Sequence, residues 1–215
     1  MNPNNKFLEK YKWFTDAFLL GCVFLLTCLP VVTLGAGIAA LYRAVIKVRL
    51  HGEGYLFRTY WAAFKENLKQ GILITVLFLV YVLLFGWINL SLASLTADGR
   101  IPAIFYALSW LLLIPPAVII PWGFPYISVF SDRTMRVIGN SFTLGMTNLG
   151  ITILAVLIMA AAALLLWFLF PVLPFVLTPM ATTVFKRMEP VLMRVARQTD
   201  GYDENAWYAR NQEVK

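Results

Sequence analysis

Few residues in this chain could be assembled into a reaction centre. There is one histidine, His51, and there are two cysteines, Cys22 and Cys28. A metal site needs three or four converging N, S or O ligands. No second histidine and no acidic cluster accompanies His51 in its basic, glycine-containing loop, so it reads as a solvated surface residue. Cys22 and Cys28 stand six residues apart in one apolar run, and on a helix they point to different faces. An internal bridge is then geometrically poor, and both read as small apolar fillers. No His-Glu-x-x-His, Gly-x-Ser-x-Gly or P-loop pattern occurs. Carriers and intramembrane enzymes keep ionisable groups inside the membrane. Here Asp16 and Arg43 sit only at the ends of the first apolar run. Asn89, with Ser91 and Ser94 beside it, is the polar residue deepest within an apolar segment, and it suits a helix-to-helix hydrogen bond. The expectation is a protein with no catalytic residue, cofactor or bound metal.

The elements that carry these residues are written in the charge pattern. Residues 17–42, 71–97, 101–131 and 137–185 contain no Asp, Glu, Lys, Arg or His. About 20 apolar residues cross a bilayer as a helix, and a soluble helix needs a polar face. The composition, 60% hydrophobic and 13% charged, agrees. A β-barrel would need alternation that Ile151–Phe170 lacks. Before Leu34-Gly35-Ala36-Gly37 no small-x-small cleavage site follows the first run, so that segment is expected to remain as an anchor. The sequence thus predicts an all-α, polytopic integral membrane protein with five transmembrane helices at about 17–42, 71–95, 101–125, 149–169 and 174–188. Residues 1–190 form one helical membrane domain and 191–215 a cytoplasmic tail. Pro171 and Pro174 divide the last long run, and Glu189-Pro190 opens a short helix to about Gln198.

Lys and Arg orient the spans. With five spans, 43–70, 132–148 and the tail collect 14 of the 18 basic residues and lie in the cytoplasm, leaving the N-terminus outside with Lys6, Lys10 and Lys12. The first span is read as one helix broken at Pro30. An alternative stays open: the chain turns back at the break formed by Pro30, Thr33, Gly35 and Gly37, and Thr33 caps a new helix to about Leu50. That makes six spans, puts the N-terminus inside and improves the split to 17 against 1. It also holds Arg43 near mid-membrane, at about 2.5–3.5 kcal/mol. Gly35 and Gly37 leave room for a neighbouring helix. Gly21, in the straight part of the run, is expected to tolerate a larger side chain better than Gly35.

Two cytoplasmic amphipathic helices are expected, at 55–69 and 133–148. In the first, Phe57, Trp61, Phe64 and Leu68 form one apolar stripe, with Arg58, Lys65 and Lys69 off it. This is the pattern of a helix in the membrane interface, whose basic residues meet anionic headgroups and whose apolar face meets lipid or a partner. The equivalent places of Phe64 and Phe142 suggest two parallel copies of "long span, cytoplasmic helix, span". No nucleic-acid partner is expected.

Cys28-Leu29-Pro30-Val31-Val32-Thr33-Leu34-Gly35-Ala36, Ala40-Leu41-Tyr42, Lys47 and Gly52-Glu53-Gly54-Tyr55-Leu56-Phe57-Arg58 lead into Phe64-Lys65-Glu66-Asn67-Leu68-Lys69-Gln70. This stretch resembles the YesL-like family of small bacterial multi-span membrane proteins, a domain of unknown function. Leu144-Gly145-Met146-Thr147-Asn148-Leu149 resembles the family's second cytoplasmic segment. The resemblance implies a chain of about this length from a Gram-positive bacterium, with a gene beside carbohydrate-importing ABC systems. The expected function is a non-catalytic accessory or regulatory subunit of such a system in the plasma membrane, with an ABC permease as partner. The alternative is a small solute transporter or channel, in one version a homo-oligomer.

Overall fold

The computed structural model describes residues 3–52, 54–168 and 172–198, with side chains from Thr15 onward except at 49, 166 and 173. Every regular element among these residues is helical: α1 (Pro3–Thr27), α2 (Leu34–Ala44), α3 (Leu56–Ala97), α4 (Ala103–Ser109), α5 (Ile114–Val129), α6 (Thr134–Thr147), α7 (Leu149–Phe168) and α8 (Leu173–Gln198). Val31–Thr33 and Trp110–Leu113 are tighter 3-10 turns, and Val45–Leu50 continues α2 as a wider π-helix. Val31–Val48, Leu56–Ala97 and Ala103–Val129 are long and apolar enough to cross a membrane, and the bent pair α6–α7 adds a fourth if it forms one span. The turn expected around Pro171 and the tail from 199 onward lie outside the described residues.

The first apolar run is not one kinked helix. In a continuous helix Phe24 and Gly37 would stand about 20 Å apart. Instead, a Cβ on Gly37 would lie 2.6 Å from Cys28 Sγ and 3.4 Å from the Phe24 ring. The chain doubles back between residues 28 and 33, as the alternative reading had it. Thr33 does not cap α2: its hydroxyl donates backward to the carbonyls of Thr27 and Pro30, each at 2.6 Å. This ties the turn shut where Pro30 offers no N–H. The two halves then take different partners. Along α1, Ala17 accepts a hydrogen bond from Thr178 at 2.8 Å, and Phe18 stacks on Phe175 at 4.2 Å. Along α2, Gly35 and Ala36 press on Gly71 and Thr75 of α3.

The helix expected at 55–69 is likewise not a separate interfacial element. It is the first third of α3, a 42-residue helix of about 63 Å at 1.5 Å per residue. No proline interrupts it, and Asn67 satisfies its own amide by donating to the Ala63 carbonyl at 2.8 Å. Its buried face runs through Tyr60, Ala63, Phe64, Asn67, Gly71, Ile74 and Thr75; beyond Thr75 no residue of α3 is buried. That half packs on α4 and the turn after it. There Phe85 meets Trp110 edge-on at 5.9 Å, and Asn89 accepts from Ser109 at 2.8 Å.

The proline-rich third run forms α4, a 3-10 turn and α5. Pro115 and Pro116 take the first turn of α5, where missing N–H groups cost nothing. The helix expected at 133–148 is α6, and it is amphipathic: Val137, Ser141, Leu144 and Gly145 are buried as it returns along α5, with Gly145 against Val118 and Trp122 and Asn140 bonded to Tyr126, while Met135, Arg136 and Phe142 face outward. α7 then departs at 105°. The bend falls at Asn148, whose amide donates to Leu144 O at 3.0 Å. The proposed duplication fails here, because α3 runs straight through the equivalent point and Phe142 is exposed where Phe64 is buried. At the other end, Pro190 does not open a new helix. It lies inside α8, where Met188, Leu192, Met193 and Ala196 are buried, so the helix packs on one face as far as Ala196 while Arg194 and Arg197 point outward.

Candidate functional site

The break and the aromatic stripe, separate features in the sequence, meet in space. Thr27, Pro30 and Thr33 form one wall of a groove of about 640 Å³, and Phe57, Tyr60, Trp61, Phe64 and Leu68 form the other. Ligand sites occupy roughly 300–1,000 Å³. Tyr60, fully buried, holds the walls together through a 2.5 Å hydrogen bond between its hydroxyl and that of Thr27. Trp61 stacks on Phe64 at 5.6 Å and remains 47% exposed, Phe57 is 43% exposed, and Leu68 is half-buried. At the groove mouth the turn presents Leu26, Leu29 and Val31 outward. Arg58, Lys65 and Lys69 are exposed on the flank of α3 next to the stripe, and the Lys65 ammonium lies 5.7 Å from the Trp61 ring. Of the break residues, Gly35 is in tight contact with α3, whereas Gly37 faces Phe24 and Cys28.

A polar belt fixes the same end of the helix set. Arg43, its side chain 11% exposed, pairs with Glu66 and donates to the Ser128 carbonyl at 2.9 Å. Gln70 donates to Asp132 O at 2.6 Å, Tyr126 to the Asp132 carboxylate at 2.6 Å, and Asn140 to the Tyr126 hydroxyl at 2.7 Å. Arg136 completes the group at 3.8 Å from Asp132. Four helices are thus joined by groups that neutralise one another, which suits a brace better than a proton path. His51, expected on the surface, is largely buried, with Nε2 2.6 Å from Glu189 at the far side of the belt. Nothing in the local sequence pairs it with a residue 138 positions away.

Asn89 lies apart from both groups, in the unburied half of α3, and links it to α4. Cys22 and Cys28 are free thiols. Among the described residues no group of three or more His, Cys, Asp or Glu is placed to hold a metal. A second cavity, about 220 Å³, lies between α1, α2, α5, α7 and α8. Residues such as Phe24, Leu41, Phe124, Ala155, Leu177 and Phe185 line it. Its walls offer a polar solute no hydrogen-bonding side chain.

No curated protein matches the chain, and no solved structure does. Residues 17–90 hold the break, the groove and the Arg43–Glu66 pair, and it is this stretch, the one that resembles the YesL-like proteins, that matches the family model described as "Protein of unknown function, DUF624".

Proposed function

We propose that the protein is a non-catalytic accessory subunit of the plasma membrane, serving a carbohydrate-importing ABC system and docking a permease-type partner in the bilayer. The observation that carries the reading is the state of α3. Its inner part is packed through one face on α2 and the polar belt, while its outer part, with no residue buried, rests on the α4–α5 region and turns Leu83, Trp87 and Leu90 outward, each more than 70% exposed. Such a hairpin offers a transmembrane partner a preformed apolar surface. In this reading α1–α2 is a hairpin that enters and leaves on one side. α3 and α4–α5 cross the bilayer, and α7 and α8 form a second pair. Both chain ends and the basic belt are then cytoplasmic, with the loop at Arg100 outside. The apolar run of α1, Thr15–Thr27, is short for a full crossing and suits a re-entrant segment. The positive-inside split favours this arrangement.

Purification of the tagged protein in mild detergent tests the role: permease subunits should accompany it, and recovery alone under several gentle conditions would count against it. Reporters fused at residue 1 and at residue 99 should read opposite sides. The transporter alternative keeps one support, the proline-broken third run. It predicts solute flux into liposomes that contain this protein alone, and the apolar walls of the inner cavity weigh against a sugar pathway there.

A further inference from the structure

We propose that the groove between the helix break and α3 binds one anionic phospholipid, with an acyl chain on the aromatic floor and the headgroup on Arg58, Lys65 and Lys69. The lining is apolar, and its few hydroxyls are already committed. Tyr60 and Thr27 bond one another, Thr27 also bonds the Phe24 carbonyl, and Thr33 bonds Thr27 and Pro30. No hydroxyl is left there for a polar solute, whereas an alkyl chain loses nothing by lying along Phe57, Trp61 and Leu68.

Charge selects the headgroup. On α3, Arg58, Lys65 and Lys69 each follow a groove residue by one position, which sets the three in a row along one flank of the groove. Among the described residues none of the three has an ion-pair partner, while the neighbouring Arg43 and Glu66 satisfy each other. Lys65 over Trp61 already places an ammonium at the groove lip. Leu26, which lines the groove, and Leu29 and Val31 on the same turn are exposed and apolar, which suits a mouth that opens to bilayer. Any Lys or Arg beside an anionic leaflet adds roughly fivefold to binding. Here the row is fixed on a rigid helix next to a slot for the chain. The proposal needs the groove to meet the cytoplasmic leaflet, as in the topology above, and is independent of the accessory role.

The test is native mass spectrometry of the whole protein released from mixed phosphatidylglycerol and phosphatidylcholine nanodiscs. One phosphatidylglycerol should be retained in preference to phosphatidylcholine. Lys65→Ala should cut that preference about fivefold, and Arg58→Ala/Lys65→Ala/Lys69→Ala should abolish it. Trp61→Ala should reduce retention of both lipids. Arg194→Ala/Arg197→Ala, on exposed positions of α8, should leave the preference unchanged. Equal losses from the α8 pair and the α3 row would reduce the effect to general surface charge and overturn the site. So would a Trp61→Ala protein that keeps its lipid but loses a co-purifying protein, since the groove would then hold a partner helix. Lys65→Ala is an exposed substitution that keeps the fold, so the proposal stays testable if the triple variant does not accumulate.

Discussion

Gly35→Ala should destabilise the protein although alanine is the better helix former. Gly35 lies where α2 crosses α3, and its N–H donates to Thr75 Oγ1 at 3.0 Å. A Cβ there would meet the Phe124 ring and stand 2.6 Å from both the Gly71 carbonyl oxygen and Thr75 Oγ1. Backbone cannot yield as a flexible side-chain tip does, so the helices must part by several tenths of an ångström. Overpacking of this kind costs about 1–3 kcal/mol, and the stretched hydrogen bond adds about 1 kcal/mol. Helix propensity returns up to about 1 kcal/mol. The net loss is about 1–3 kcal/mol. Gly86→Ala is the proper control, because nothing lies within 4 Å of its Cβ position; it should gain up to about 1 kcal/mol. Gly21, which the sequence suggests as the tolerant position, cannot serve, since its Cβ would run into the Pro174 carbonyl of α8. At roughly 2–4 °C per kcal/mol for a chain this long, thermal unfolding in detergent should separate the two variants by roughly 5–15 °C. A Gly35→Ala protein that melts with or above Gly86→Ala would refute the reasoning.

Arg43→Leu should cost about 1.5–3 kcal/mol by removing charge-assisted bonds that include the one to Ser128 O. Glu66→Gln, with its side chain 60% exposed, should cost under about 1 kcal/mol; equal losses in unfolding would argue against the Ser128 bond as the stronger one. Thr178→Val removes a buried hydroxyl that holds Ala17 across 161 positions of chain. It should raise amide exchange in α1 while leaving α5 unchanged, and unaltered exchange in α1 would show that the bond does not tether the helix. Trp122→Phe and Thr152→Val each break the 2.9 Å indole bond that ties α5 to α7 just past the bend. Because they break the same bond, the double variant should cost about 1 kcal/mol less than the two single costs combined, and strict additivity would mean that the bond contributes nothing.

The all-helical class, with helices long and apolar enough to cross a membrane, was legible because four uncharged runs report burial or lipid directly. Connectivity within a run was not. The 28–33 reversal depends on Phe24 and Cys28 finding Gly37, a tertiary contact that hydropathy cannot register. The break was visible in Pro30, Gly35 and Gly37, yet a kink and a hairpin share that signature. Along α3 the apolar stripe of Phe57, Trp61, Phe64 and Leu68 marked a face for lipid or a partner, and Phe57 and Trp61 are exposed, but the buried face of Tyr60, Ala63, Phe64, Asn67 and Gly71 was not marked. The reason is that α2 approaches through glycine and alanine, which leave a close helix contact with no apolar stripe to mark it. The groove itself exists only once the break and the stripe are brought together. His51 shows the converse limit: a lone titratable residue in a basic loop gave no hint of Glu189.

The length of α3 has a mechanical meaning. The close contact of Gly71 with Ala36 gives this proline-free helix a pivot. Residues 56–71 form an inner arm of roughly 22 Å and residues 71–97 an outer arm of roughly 39 Å at 1.5 Å per residue. A wedge driven in beside Trp61 would therefore swing the far tip through nearly twice the displacement made at the near one. Occupancy beside the near end is in this way felt at the far end as leverage, without any change of helix structure between them.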